Sequence, residues 1–220
     1  MSTQQTSASN FVFKGTNKSK GRHISVTPQN SSMKHLAYGR IILDRENARA
    51  EFETGEREVG LICLHGSGVV KVGQVDQESF ELNRYDSIYI PRDESVEVST
   101  TTAVDFAECS ADVANRYPVQ VVRFADVEKD GTLKFSTGGQ SNARTVNILL
   151  GKNIQAGRIL AGITRSEAGH WTSWPPHEHA DMLEELYVYI DMPPPAFGVQ
   201  FVYTRPEEPE FVGLVHEGDA

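Results

Sequence analysis

Cysteine is scarce in this chain, with Cys63 and Cys109 the only two among 220 residues. Their spacing matches no zinc or redox motif, and two are too few for a disulfide framework at this length. Each lies within or beside an apolar run, the setting of a buried reduced thiol. Basic charge is also in deficit. Twenty-one Lys and Arg face 30 Asp and Glu, giving a net charge of −9 and a pI near 5.3. That field repels phosphate backbones, which argues against nucleic acid and anionic membrane as partners. A small anionic substrate stays compatible with it, because one arginine or a metal reverses the sign inside a pocket. No apolar run approaches the ~18 residues of a membrane helix. Residues 1–10, MSTQQTSASN, have neither a basic n-region nor an apolar h-region and read as a polar leader, not a signal peptide. A cytoplasmic protein is expected. Sustained helical periodicity is missing too; 111–117 offers a turn or two at most.

What the chain does have is β pattern almost throughout. Short runs rich in Val, Ile, Tyr and Phe recur between Gly, Asn, Asp and Pro, predicting strands over 39–43, 59–64, 69–72, 87–90 and 96–99. Further strands are expected over 119–124, 146–150, 159–164, 186–190 and 198–203. Many short strands favour a sandwich or barrel over alternating βα units. A faint repeat runs through them. Glu58 opens VGLICL as Glu185 opens LYVYI, and LNRYDS around Asp86 matches VHEGDA around Asp219. Two tandem β units follow, 11–118 and 119–220, with a join inside 111–144.

The chemistry concentrates in WTSWPPHEHADMLEELYVYI, residues 171–190. Residues two apart in an extended strand share a face, so His177 and His179 can aim at one point while Glu178 faces away. A carboxylate comes from the following strand, where Glu184 and Glu185 point to opposite sides. Glu185 shares its face with Tyr187 and Tyr189, whereas Glu184 shares one with Leu186, Val188 and Ile190. The hydroxyl-bearing face suits a polar pocket, so Glu185 is the expected ligand. Two imidazoles and a carboxylate suit a borderline divalent cation such as Zn, Mn, Fe or Ni.

An HxH, a short gap, a glutamate and a strand resemble the first metal motif of the cupin superfamily. The strings GHWTSWPPHEH, LEELYVYI, FGVQFVYT and VHEGDA, in this order, resemble the 5-deoxy-glucuronate isomerases of bacterial myo-inositol catabolism. GRHISVTPQNSSMKHLAYG, FETGEREVGLICLHGSG and SNARTVNILL extend the likeness from about Asn10 to Ala220. The resemblance implies an all-β fold of two cupin barrels, related also to the 4-deoxy-threo-hexosulose-uronate ketol-isomerases, with the metal in the second barrel. It implies isomerisation of 5-deoxy-D-glucuronate to 2-deoxy-5-keto-D-gluconate through an enediolate, with a small sugar acid as partner and a homo-oligomer left open.

Two departures from the family pattern accompany this. The first unit has Ala50, Glu51, Phe52 and Glu53 where a metal strand would carry histidines, and Ser95 where a second-motif histidine would stand, so a metal-free scaffold is expected. In the second unit the family's fourth ligand, a histidine, falls beyond Ala220, and the second barrel is expected to be incomplete. Zn, Mn or Fe at His177, His179 and Glu185 would act as Lewis acid. Glu184 and Tyr187 are the candidate proton-transfer groups. Arg144 is the candidate for the substrate carboxylate, and Gln200, Tyr189 and, more weakly, Tyr203 are pocket candidates. Gln200 and Tyr203 fall on opposite faces of their strand, so at most one looks inward. A non-catalytic sugar- or metal-binding cupin and a non-haem iron dioxygenase are the alternatives from other classes.

Overall fold

Period-two alternation of apolar and polar side chains organises the structure, a computed structural model that describes residues 11–173, 177, 179, 182–205 and 207–220. The leader expected at 1–10 lies outside the described residues. The first unit contributes β1 (Gly21–Val26), β2 (Ala37–Asp44), β3 (Arg49–Glu53), β4 (Arg57–Val72) and β5 (Glu78–Asn83). It continues with β6 (Ser87–Ile90), β7 (Ser95–Ser99), β8 (Ala103–Asp112) and β9 (Gln120–Val122). One antiparallel layer runs β1-β2-β8-β4-β6-β9. The second half of β4 pairs instead with β5 and β7, and β7 with β3, forming an opposing layer.

β4 therefore serves both layers, and the strands expected separately at 59–64 and 69–72 are one bent strand. The bend falls where pairing with β8 slips between Cys63 and His65. Gly66 sits at φ +73°, with the Ala103 carbonyl oxygen lying where a Cβ would be. Only glycine accepts both conditions without strain. Between the layers lie Ile41, Leu61, Leu82, Ile88, Val98 and Phe106, all essentially excluded from water. Ala50 and Phe52 pack onto this core while Glu51 and Glu53 face solvent. The interior of the first unit is thus filled with aliphatic and aromatic side chains, and Ser95 hydrogen-bonds Glu53.

The second unit is assembled on the outer face of the first. A short α1 (Phe124–Val127) leads into β10 (Lys134–Thr137), β11 (Arg144–Leu150) and β12 (Ala161–Ser166), an antiparallel three-stranded sheet. A hairpin of β13 (Gly198–Val202) and β14 (Phe211–Val215) follows. Leu149, Leu150, Ile159 and Ile163 bury themselves against Ile62, Leu64 and Tyr89. Gly60 makes room for this, since a Cβ there would stand 2.7 Å from Leu150 Cδ1. No helix among the described residues is long and apolar enough to cross a membrane.

Several local expectations change. The helical turn expected near 111–117 is instead the end of β8 and a coil, because β8 continues pairing with β4 as far as Asp112. The strand expected at 119–124 stops at Val122 and turns into α1. Residues 186–190 form no regular strand. Their backbone pairs once, Tyr189 donating to the Asp219 carbonyl at 2.9 Å and accepting from Gly218 N–H at 2.8 Å. A ladder needs successive pairs, and 218–219 supply one.

The repeat is visible in buried carboxylates. Asp86 accepts from the N–H groups of Asn83 and Phe124 and from the Arg123 guanidinium. Asp219 accepts from the N–H groups of His216 and Gly15 and from the Lys14 ammonium. Segments 123–124 and 14–15 are therefore counterparts. β9 borders the first unit's sheet although it lies past the expected boundary at 118. Residues 13–16 play the same part for the second unit, with Phe13 and Ala220 exchanging backbone hydrogen bonds at 2.7 and 3.0 Å. Each unit is completed by a segment from outside its expected span.

Glu58 ties the two units directly. It is fully buried and accepts from Gly157, Arg158 and Ile159 N–H at 2.6–2.8 Å and from the Tyr89 hydroxyl at 2.8 Å. Glu58→Gln keeps the volume but turns an amide NH2 toward donors. We expect a loss of about 2–3 kcal/mol in denaturant unfolding. Burial alone pushes the Asp219 carboxyl upward, but Lys14 and the N–H groups of Gly15 and His216 outweigh it and hold it below the usual aspartate range. A depressed group stabilises the fold above its unfolded value of about 3.9 and loses that contribution as pH falls through the folded value. Asp219→Asn should flatten that acid limb of a melting-temperature profile; an unchanged limb would show that the contact contributes nothing.

Candidate functional site

Adjacent residues of an extended chain point opposite ways, and segment 184–190 separates its side chains on that rule. Leu186 and Val188 pack toward the first unit, against the cluster of Val26, Tyr38 and Ala220. The Glu184 carboxylate faces the same way and accepts three successive backbone N–H groups of the first unit, from Lys34, His35 and Leu36. Burial works against the ionised form, but these three donors outweigh it and hold the Glu184 carboxyl below its ordinary range. The contact pattern matches Glu58 and residues 157–159. The repeat therefore places Glu184, not Glu185, opposite Glu58, a correction of one residue to the register expected from sequence. Val59 then stands where the second unit has Glu185.

Glu185, Tyr187 and Tyr189 occupy the other face. The Tyr187 hydroxyl hydrogen-bonds Ser173 at 2.8 Å. Burial raises the pKa of this phenol; Ser173 and the Arg144 charge work in the opposite direction, and a hydrogen bond with Glu185 reinforces the rise. Arg144 and Glu185, both expected from sequence, thus act electrostatically on Tyr187. Burial, with smaller effects from Tyr187 and Asp219, pushes Tyr189 up to about 12. Its hydroxyl donates to Gln200 Oε1, so Gln200 is the residue of β13 turned to this group; Tyr203 lies beyond the end of that strand.

Arg144 opens β11 and is itself positioned by a crossed pair of contacts. Ala143 N–H donates to His170 Nδ1 at 3.2 Å, and Trp171 N–H to the Ser141 carbonyl at 2.9 Å. Ser173 and this loop clamp had no distinctive signal in the sequence. Ser173 has a left-handed backbone, φ +58°, beside a Pro-Pro pair that lies outside the described residues.

His177 and His179 stand side by side, ring centroids 4.9 Å apart and planes at 77°. After them the chain turns, the N–H groups of Met182 and Leu183 both reaching the His179 carbonyl. The expectation that Glu178 faces away falls outside the described residues. The donor types, two imidazoles and a nearby carboxylate, suit a borderline divalent cation. Among the described residues no three His, Cys, Asp or Glu side chains converge as one coordination group. The imidazole pair is formed, and Glu185 is held by its own partner, Tyr187.

The model of the KduI/IolB family matches residues 11–220. The chain belongs to that family. Among its relatives is a 5-deoxy-glucuronate isomerase of Bacillus velezensis, 29% identical over 198 residues, covering 81% of this chain and 69% of that protein. Another, of Geobacillus kaustophilus, is 25% identical over 214 residues, covering 91% and 75%. The solved IolB-like protein of Salmonella typhimurium LT2 superposes with a TM-score of 0.78 at 22% identity, covering 96% of this chain and 82% of that one. The all-β expectation and the family resemblance agree with these findings. An isomerase is the class of enzyme they indicate.

Proposed function

We propose that this member of the KduI/IolB family converts 5-deoxy-D-glucuronate to 2-deoxy-5-keto-D-gluconate, an aldose–ketose isomerisation within inositol catabolism. One observation supports the reading beyond the relatives' names. The face that carries Glu185, Tyr187 and Tyr189 lies within reach of the Arg144 charge, so a cation, a carboxylate and neutral hydroxyls influence one group.

The reaction removes a proton from carbon beside a carbonyl and returns one to the neighbouring carbon. Arg144 suits the substrate carboxylate, because a guanidinium pairs two donors with two carboxylate oxygens. Tyr187 and Tyr189 stay protonated at neutral pH; with the Tyr189 proton directed to Gln200 Oε1, its Oη can accept from a substrate hydroxyl, and Ser173 orients the Tyr187 hydroxyl. His177, His179 and Glu185 are the residues we assign to a divalent cation, which when bound supplies Lewis-acid polarisation of the carbonyl. Glu184 is not assigned the proton transfer considered from sequence. Three N–H donors occupy its oxygens and lower its proton affinity, the opposite of what a general base needs.

The test is isomerase assay with the deoxy-uronate beside elemental analysis of the purified protein. His177→Ala with His179→Ala should abolish bound metal and reduce kcat/KM by at least about a hundredfold, about 2.7 kcal/mol of transition-state stabilisation. Turnover that survives the double substitution would overturn the assignment. Arg144→Ala should raise KM by about tenfold or more with a smaller change in kcat, the signature of lost ground-state binding. Oxygen consumption in place of isomerisation would point to dioxygenase chemistry.

A further inference from the structure

The first unit has its interior filled by apolar side chains, yet it grips the site-bearing segment through an acidic residue. Glu184 lies on the buried side with Leu186 and Val188, and its carboxylate is held by three consecutive N–H groups at 34–36. Because side chains alternate, whatever orients Glu184 also orients Glu185, Tyr187 and Tyr189 in the opposite sense. Few other backbone contacts hold this segment: among the described residues, Tyr189 pairs with 218–219, and no regular strand forms there. A shift of one residue along 184–190 would send Glu185 toward the 34–36 amides and turn the two tyrosines toward Val26 and Tyr38. Three directed donors, together with the apolar seat of Leu186 and Val188, exclude that slip.

The Glu58 contact serves as an internal control. It has the same design, a carboxylate caught by three consecutive N–H groups of the other unit, but it is followed by Val59 and an apolar core. The clasp is therefore common to both units, while what it orients differs.

Resting on the function proposed above, we infer that Glu184 is a positioning residue acting across the two units, through which loop 34–36 of the first unit sets the facing of Glu185, Tyr187 and Tyr189 in the second. It holds no substrate and moves no proton.

The test uses the full chain with three substitutions. Glu184→Gln removes the charge and one acceptor. Lys34→Pro deletes one donor from the first unit alone and leaves the second untouched. Glu58→Gln disturbs the matching clasp. Hydrogen exchange followed by mass spectrometry should show peptides spanning 182–190 losing protection in Glu184→Gln and, to a smaller degree, in Lys34→Pro. Those peptides should stay protected in Glu58→Gln even where overall stability falls. Zinc alone, titrated into the first two variants, should bind about tenfold more weakly than into the parent chain, the scale of an outer-shell loss.

Unchanged exchange at 182–190 in Glu184→Gln overturns the inference, as does altered exchange with zinc affinity and kcat intact, since that describes structural support only. If Glu184→Gln fails to fold, Lys34→Pro carries the same readouts, and the same results support or overturn the inference. If the parent chain binds no zinc, the metal assignment fails by itself. The exchange pattern of 182–190, together with KM and kcat for the sugar acid, then decides the positioning role.

Discussion

Carboxylates that capture runs of backbone N–H groups across the two units are the constraint on which the rest of the structure depends. Unpaired amides where two units pack together cost free energy, and a carboxylate is the side chain that can satisfy three at once. Glu58 does this for 157–159 and Glu184 for 34–36. Glu58 could not be buried in isolation, because an ionised carboxylate without donors is too costly to remove from water; Glu184 is half-buried and held by the same kind of donors. Each unit therefore supplies what the other needs. Asp86 and Asp219 add a second layer of the same kind, securing segments 123–124 and 14–15 at the ends of the two units.

From this reciprocal arrangement follows the division of labour. The first unit carries Ile, Leu, Val and Phe in its interior, and its outer face is a platform for Leu149, Leu150, Ile159 and Ile163. The second unit is built on that platform and keeps polar groups on the side turned away from it. Arg144, Ser173, Tyr187, Tyr189 and Gln200 come together there because β11, the 170–173 turn, segment 184–190 and β13 converge. The acidic balance of the whole chain makes Arg144 more consequential. Under the proposed function, an anionic substrate approaching a protein of net charge −9 is favoured by a local cation.

Much of this is legible in the residues themselves. The HxH pair, the alternation that separates Glu184 from Glu185, and the choice of Glu185 over Glu184 for the hydroxyl-bearing face all come from period-two geometry, and the side-chain contacts of 184–190 follow that alternation. The repeat is legible too, but its register is off by one residue, because two adjacent glutamates offer the same local pattern to Glu58. Ser173 and the loop clamp at 141–143 leave no mark, since a serine in a polar stretch looks the same whether or not it meets a tyrosine. The strand expected at 186–190 has the right alternation but not the ladder, which depends on neighbours and not on its own residues.

Composition and periodicity by themselves determined an all-β chain and the short list of residues able to do chemistry. These are local properties, carried by side-chain type and a two-residue repeat. Tertiary structure alone decided that Glu184 anchors on the 34–36 amides, that β4 is one bent strand serving two layers, and that the segment at 13–16 pairs with the end of the far unit. Those outcomes depend on backbone donors and carboxylates far apart in sequence finding one another, a match that no local pattern encodes.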